Sequence, residues 1–261
     1  MKYKWLILST FVTLAGFLPQ SKAALILGSA ESFAVLGGAT VTSTGGTVLN
    51  GDLGVAPGTS ITGFAPGIVN GTTHDNDVVA AQAQADALIA YGILSGEAYN
   101  SNLSGLDLGA RTLTPGVYFF SSSAQLTGLL TLDAQGVSDA RFDFRIGSTL
   151  TTASDSSMIL IHGAQANNVY WQVGSSATLG ADTAFYGSIL ADQTITLGNG
   201  ASMFGRALAL NGAVNLDNNL ITAENNVSTP EPGSFYLFAA CASVFGVWPW
   251  LAARRRKFVR S

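Results

Sequence analysis

The chain has 261 residues, enough for one large domain or two small ones on the rule of roughly 100–200 residues per domain, and a formal net charge of −4. That charge is segregated: Lys2, Lys4 and Lys22 lie at the start and Arg254, Arg255, Arg256, Lys257 and Arg260 at the end, leaving 4 basic against 16 acidic residues between positions 24 and 253. So acidic a middle excludes DNA or RNA binding through a phosphate-neutralising patch, and a single cysteine, Cys241, excludes a disulfide framework and a Cys-based zinc site.

The first 23 residues read as a signal peptide. Lys2 and Lys4 give a positive start, Trp5 to Leu18 a mostly apolar stretch, and Ser21-Lys22-Ala23 small residues at the −3 and −1 positions, so cleavage after Ala23 is expected. Fourteen apolar residues are short for a membrane span.

Residues 24–224 form the next unit, rich in Gly, Thr, Ser and Asn, with short apolar alternations. Its one convincing helix is expected at about 77–91. Asp75-Asn76-Asp77 offers N-cap residues, Gly92 a stop, and Val78, Ala81, Ala85 and Leu88 an apolar stripe. Further on, residues 141–146 (RFDFRI) alternate with period two, so Phe142, Phe144 and Ile146 share one side of a strand.

An internal repeat then narrows the fold class. Residues 185–191 (FYGSILA) match 203–209 (MFGRALA), placing Gly187 and Gly205 eighteen positions apart, and 194–197 (TITL) recur as 213–216 (AVNL). A repeat of about eighteen residues holding two or three short strands fits one turn of a triangular β-solenoid. In such a coil the aliphatic residues beside Thr196 point inward and Thr196 outward. The same logic exposes Asn215, Thr178, Thr149, Thr151 and Thr131, and predicts that these six form one ladder on a flat face. Tyr186, Leu190, Phe204 and Leu208 also point outward, as an apolar patch that the helix is expected to cover.

The end of the chain has three parts: a linker over 225–234 containing Pro230-Glu231-Pro232, nineteen uncharged residues over 235–253, and a basic tail over 254–261 led by Arg254-Arg255-Arg256. The middle part is long enough to cross a bilayer, and the arginines fix its cytoplasmic side. This order resembles the PEP-CTERM sorting signal. The resemblance implies a Gram-negative bacterium, export by the Sec machinery, transient insertion of 235–253 in the inner membrane, and cutting by an exosortase near Pro230–Pro232. The mature chain is then expected at the cell surface, in the extracellular matrix or secreted.

Several runs of the middle resemble the DUF3494 ice-binding protein family: 33–38 (FAVLGG), 50–59 (NGDLGVAPGT), 113–118 (LTPGVY), 170–175 (YWQVGS), 205–209 (GRALA) and 216–219 (LDNN). The resemblance covers about 25–222. It implies a mainly β fold, a discontinuous triangular β-solenoid with one long α-helix packed along one face, in which N-terminal coils stack beside C-terminal ones. It also implies adsorption to the ice crystal surface through one flat face, with no cofactor. The chain departs from the pattern at Asn215, where members often carry Thr, and at Leu210-Asn211.

Two other readings compete. A matrix or adhesion module could keep the fold without ice affinity. A polysaccharide-active enzyme would need two carboxylates about 5–9.5 Å apart, for which Asp143 and Asp155, near Arg141 and Arg145, are the candidates. His74 and His162 stand apart, and no metal or catalytic motif accompanies them. Turn and cap chemistry explains Asp75-Asn76-Asp77 and Asp217-Asn218-Asn219 better than calcium does.

Overall fold

Strands of three to five residues can bury only one or two side chains each, so they persist only by stacking on like strands above and below. A computed structural model describes residues 27–223 in these terms. The expected signal peptide, the Pro230-Glu231-Pro232 motif, the 235–253 segment and the basic tail lie outside the described residues.

After a 3-10 turn over Gly28–Ser32, the N-terminal part contributes β1 (Phe33–Gly37), β2 (Thr40–Thr44), β3 (Val48–Asn50), β4 (Asp52–Val55), β5 (Ser60–Thr62), β6 (Ile68–Asn70) and β7 (Thr73–Asp75). Helix α1 (Val78–Gly96) follows, then β8 (Ser101–Asn102), β9 (Arg111–Leu113), β10 (Gly116–Phe120), β11 (Ala124–Leu126) and β12 (Leu129–Asp133). Next come β13 (Phe142–Ile146), β14 (Leu150–Thr152), β15 (Ser157–Ile161), β16 (Val169–Val173), β17 (Ala177–Leu179) and β18 (Ala184–Tyr186). The last are β19 (Ser188–Ala191), β20 (Ile195–Leu197), β21 (Ser202–Phe204), β22 (Ala207–Ala209), β23 (Val214–Asp217) and β24 (Leu220–Thr222).

These strands form three parallel sheets. Sheet A has nine strands in the order β7-β4-β1-β22-β19-β16-β13-β10-β8; sheet B has seven, β11-β14-β17-β20-β23-β2-β5; sheet C has eight, β6-β3-β24-β21-β18-β15-β12-β9. Each coil visits A, B and C in turn, so the section is a triangle around one core. The order is discontinuous as expected: β1, β2 and β3 stack directly on β22, β23 and β24, the last coil in sequence.

Phe142, Phe144 and Ile146 do share the inner side, fully buried. Inside the triangle, Phe144 stacks on Trp171 at 3.7 Å and Trp171 tilts against Phe185 at 5.0 Å, filling the wider coils with aromatic volume. The predicted repeat falls at a corner. Gly187 (φ 106°) and Gly205 (φ 147°) turn the chain from sheet C to sheet A, and a Cβ on Gly205 would lie 2.0 Å from the Gly187 carbonyl oxygen. Only glycine fits both the backbone angle and the stacking distance.

Two expectations are corrected here. The helix runs to Gly96, five residues past the predicted end, with Asp77 as N-cap accepting hydrogen bonds from the Val79 and Ala80 N–H groups at 3.0 and 2.8 Å. Its buried face is Ala80, Ala83, Ala87, Ala90 and Leu94, whereas Val78 and Leu88 of the predicted stripe are 84% and 59% exposed. Both sets follow the helical period. The alanine set wins because sheet A supplies the bulk itself, through Phe33, Leu36, Tyr170, Leu190 and Leu208, and small residues let the helix lie close. The apolar patch is likewise divided by the Gly187 and Gly205 corner. Leu190 and Leu208 lie on sheet A in the helix-side core, while Tyr186 and Phe204 lie on sheet C, outside that core, stacked on each other at 5.4 Å.

Candidate functional site

Sheet B is where the predicted polar residues converge. Its inward positions, Leu150, Ala177, Ile195, Val214 and Val41, are buried, so each following residue must face out. Register makes these a single row: Gln125 opposite Thr151, then Thr178, Thr196, Asn215, Thr42 and Thr62. The residue before each inward position also faces out, giving a second row of Ser123, Thr149, Ser176, Thr194, Ala213, Thr40 and Ser60. Neither row contains a charged residue. Parallel strands set neighbours within a row about 4.7–4.9 Å apart.

Five of the six predicted ladder residues therefore lie on sheet B, Thr151, Thr178, Thr196 and Asn215 in one row and Thr149 in the other. Thr131 does not. It pairs with Thr112 and Ile159 on sheet C. Its outward orientation follows from Leu130 and Leu132, but alternation is the same on all three sheets, so only the phase of the coil decides which face a residue joins.

The rows are held by their own side chains. Thr42 donates to the Asn215 side-chain oxygen at 2.9 Å, and the Asn215 amide donates to Thr196 at 3.4 Å, so Asn215 bridges two threonines across the seam between the C-terminal and N-terminal coils. Thr149 donates to Ser123 at 2.8 Å in the other row. Behind the face, Thr152 and Thr183 share a buried hydrogen bond of 2.9 Å, and the Asn219 amide donates to the carbonyls of Gly198 and Ala201. These contacts fix the turns that carry the face.

Thr40, Thr42, Ser60 and Thr62 were not among the predicted residues. Residues 40–44 (TVTST) alternate visibly, but their place beside Asn215 depends on an interleaving that spacing along the chain does not reveal.

The catalytic candidates are not brought together. Asp143 is 1% exposed on sheet A, paired with Arg141 at 2.8 Å, while Asp155 sits in the exposed turn between sheets B and C. Arg141 also reaches Glu97 at 3.1 Å and lies over the Tyr170 ring, whose hydroxyl burial pushes up to about 12. Arg206, 1% exposed, donates to the Glu31 carbonyl oxygen at 2.8 Å. This polar layer bonds α1 and the N-terminal turn to sheet A. His74 pairs with the cap residue Asp77 at 2.7 Å and His162 with Asp133 at 2.8 Å, in separate parts of the fold. Among the described residues no three His, Cys, Asp or Glu side chains are grouped to hold a metal ion.

Comparison with known proteins agrees with this architecture. A family model described as Ice-binding-like matches residues 35–222. An ice-binding protein of Nostoc sp. (strain HG1) is 52% identical over 240 residues, covering 88% of this chain and 89% of its own. The crystal structure of an ice-binding protein from the Antarctic ascomycete Antarctomyces psychrotrophicus superposes with a TM-score of 0.76 at 41% identity, over 78% of this chain and 100% of that one. An ice-binding protein from an Antarctic biological consortium gives 0.76 at 45% identity, over 80% and 96%.

Proposed function

The chain belongs to the ice-binding-like family, and on that premise we propose that it is exported and adsorbs to ice through sheet B, slowing growth and recrystallisation. The observation that carries the choice of face is the pair of uncharged rows of Thr, Ser and Asn on sheet B, spaced one strand apart and tied by hydrogen bonds between coils.

Each threonine presents a methyl group beside a hydroxyl. A rigid row of such pairs orders water while excluding the disorder of bulk liquid, and lysine or arginine would hold its own hydration shell against that order. Single contacts are weak. Many made together by a face that loses little freedom on binding release slowly. No bond is made or broken, in keeping with relatives that are ice-binding proteins and not enzymes.

The test uses purified residues 24–229, which contain both hydrophobic cores. Frozen in sucrose, micromolar protein is expected to arrest the growth of ice grains. Grain growth equal to that in buffer overturns ice binding and favours a matrix module of the same fold. Sequence supports export and sorting: the basic and apolar start, the Pro230-Glu231-Pro232 motif, and the uncharged stretch before Arg254-Arg255-Arg256. Mass spectrometry of the mature chain tests processing, with termini expected at Ala24 and near Pro230–Pro232.

A further inference from the structure

In an uninterrupted solenoid the chain enters at one end of the stack and leaves at the other. Here it does neither. Among the described residues the first strand, β1, is the third in sheet A, beside β22, and the last, β24, is the third in sheet C, beside β3. Helix α1 makes this arrangement work by carrying the chain along sheet A from β7, at one end of the stack, to β8, at the other.

The start of β1 and the end of β24 consequently meet at one corner. Ala223, directly after β24, donates its N–H to the Asn50 carbonyl oxygen at 2.9 Å. A Cβ on Gly51 would lie 3.0 Å from the Ala223 Cβ and 3.1 Å from that of Ala34, at the start of β1. The described chain thus leaves β24 from the corner between sheets C and A, while before β1 its first turn, Gly28–Ser32, lies against α1 on the outer side of sheet A, where Ser29 donates to Asp86 at 2.8 and 2.7 Å. The corner between C and A lies across the triangle from sheet B.

The surfaces differ in the matching sense. The large apolar side chains exposed on the described strands and helix, such as Leu129, Ile159 and Phe204 on sheet C and Leu88, Ile89 and Ile93 on α1, lie on the other two sides of the triangle; none lies on a sheet B strand. Residues 224–234 separate the exit from the uncharged stretch at 235, and eleven residues reach at most about 40 Å when fully extended.

We infer that the domain is built for tethered display: held through its exit corner, it keeps sheet B clear of its support and open to ice, so that it fastens a surface to ice as well as acting in solution. This rests on the ice-binding reading of sheet B.

The test exploits the absence of cysteine from residues 24–229. A single cysteine is placed after Thr229, before Ala24, or on sheet B as Ser123→Cys, and each protein is coupled through it to beads at equal density. Capture of beads by a growing ice crystal is then scaled to the recrystallisation inhibition of the same protein free in solution. Both terminal couplings are expected to capture beads alike, within about twofold, and the sheet B coupling at least about tenfold less, a difference of roughly 1.4 kcal/mol in adsorption. Gln125→Cys, at the rim of the same face, replaces Ser123→Cys if circular dichroism shows that variant misfolded. Equal capture through sheet B, or loss of capture through one terminus alone, overturns the display inference while ice binding in solution stands. Inactivity of the free protein overturns the ice reading, and the display inference with it.

Discussion

Sheets B and C are built alike and finished differently. Both stack short parallel strands from the same coils on the same core, and both alternate inward and outward residues. Outward on sheet B stand Thr151, Thr178, Thr196, Asn215 and Thr42; at the corresponding place on sheet C stand Thr131, Ile159, Tyr186, Phe204 and Thr222. Core packing constrains the inward side of each strand and leaves the outward side free. The two uncharged rows of sheet B, built mostly of Thr and Ser, are therefore not a by-product of folding. Threonine's strand propensity favours both sheets equally and so does not explain the contrast.

The largest effect should come from what the two sheets share. Trp171→Ala removes a fully buried ring stacked on Phe144 and is expected to cost about 3–5 kcal/mol, seen as an early denaturant midpoint with ice activity lost along with the fold. Thr178→Tyr should separate face from fold. Inhibition of recrystallisation is expected to fall at least about tenfold while unfolding free energy stays within about 0.5 kcal/mol, and retained activity would refute the assignment of sheet B.

The converse substitutions lie on sheet C. Thr131→Tyr should leave ice activity unchanged, and Phe204→Thr should lower stability by about 1 kcal/mol through loss of the Tyr186 stack, again without loss of activity. Grain growth released by either variant would move the binding face to sheet C.

The smallest effect concerns pH. The Ala80 N–H and His74 hold Asp77 below the usual carboxylate range, the Ser29 N–H and hydroxyl do so for Asp86, and the Gln135 N–H and His162 for Asp133. A carboxylate with a depressed folded pKa contributes stability that is present above its unfolded pKa and lost as pH falls through the folded one. The melting temperature should accordingly decline below about pH 4. Above that range activity should be flat to about pH 8, because neither row of sheet B holds a titratable group. A steep activity change near neutrality would show that charged residues beside the face take part.

Much of this was legible in the chain. The 18-residue repeat, the corner glycines and the inward set Phe142, Phe144 and Ile146 identify a solenoid, because stacked coils demand the same residue at the same step. Asp77 is a readable cap, since its side chain meets the first free N–H groups of the helix. The helix face was not readable: alanines occupy half of the predicted stripe and four of the five positions of the buried one, and the bulk that selects between them comes from sheet A.

By itself the sequence determined which side chains face in and which face out, since alternation is a property of the strand alone. Tertiary structure decided which outward residues share a face. The first strands enter the stack beside the last, so Thr42 meets Asn215 across 173 positions, while Thr131, alike in local pattern, lands on another sheet. Coil phase and interleaving are set by the closure of the whole triangle, and no local spacing encodes them.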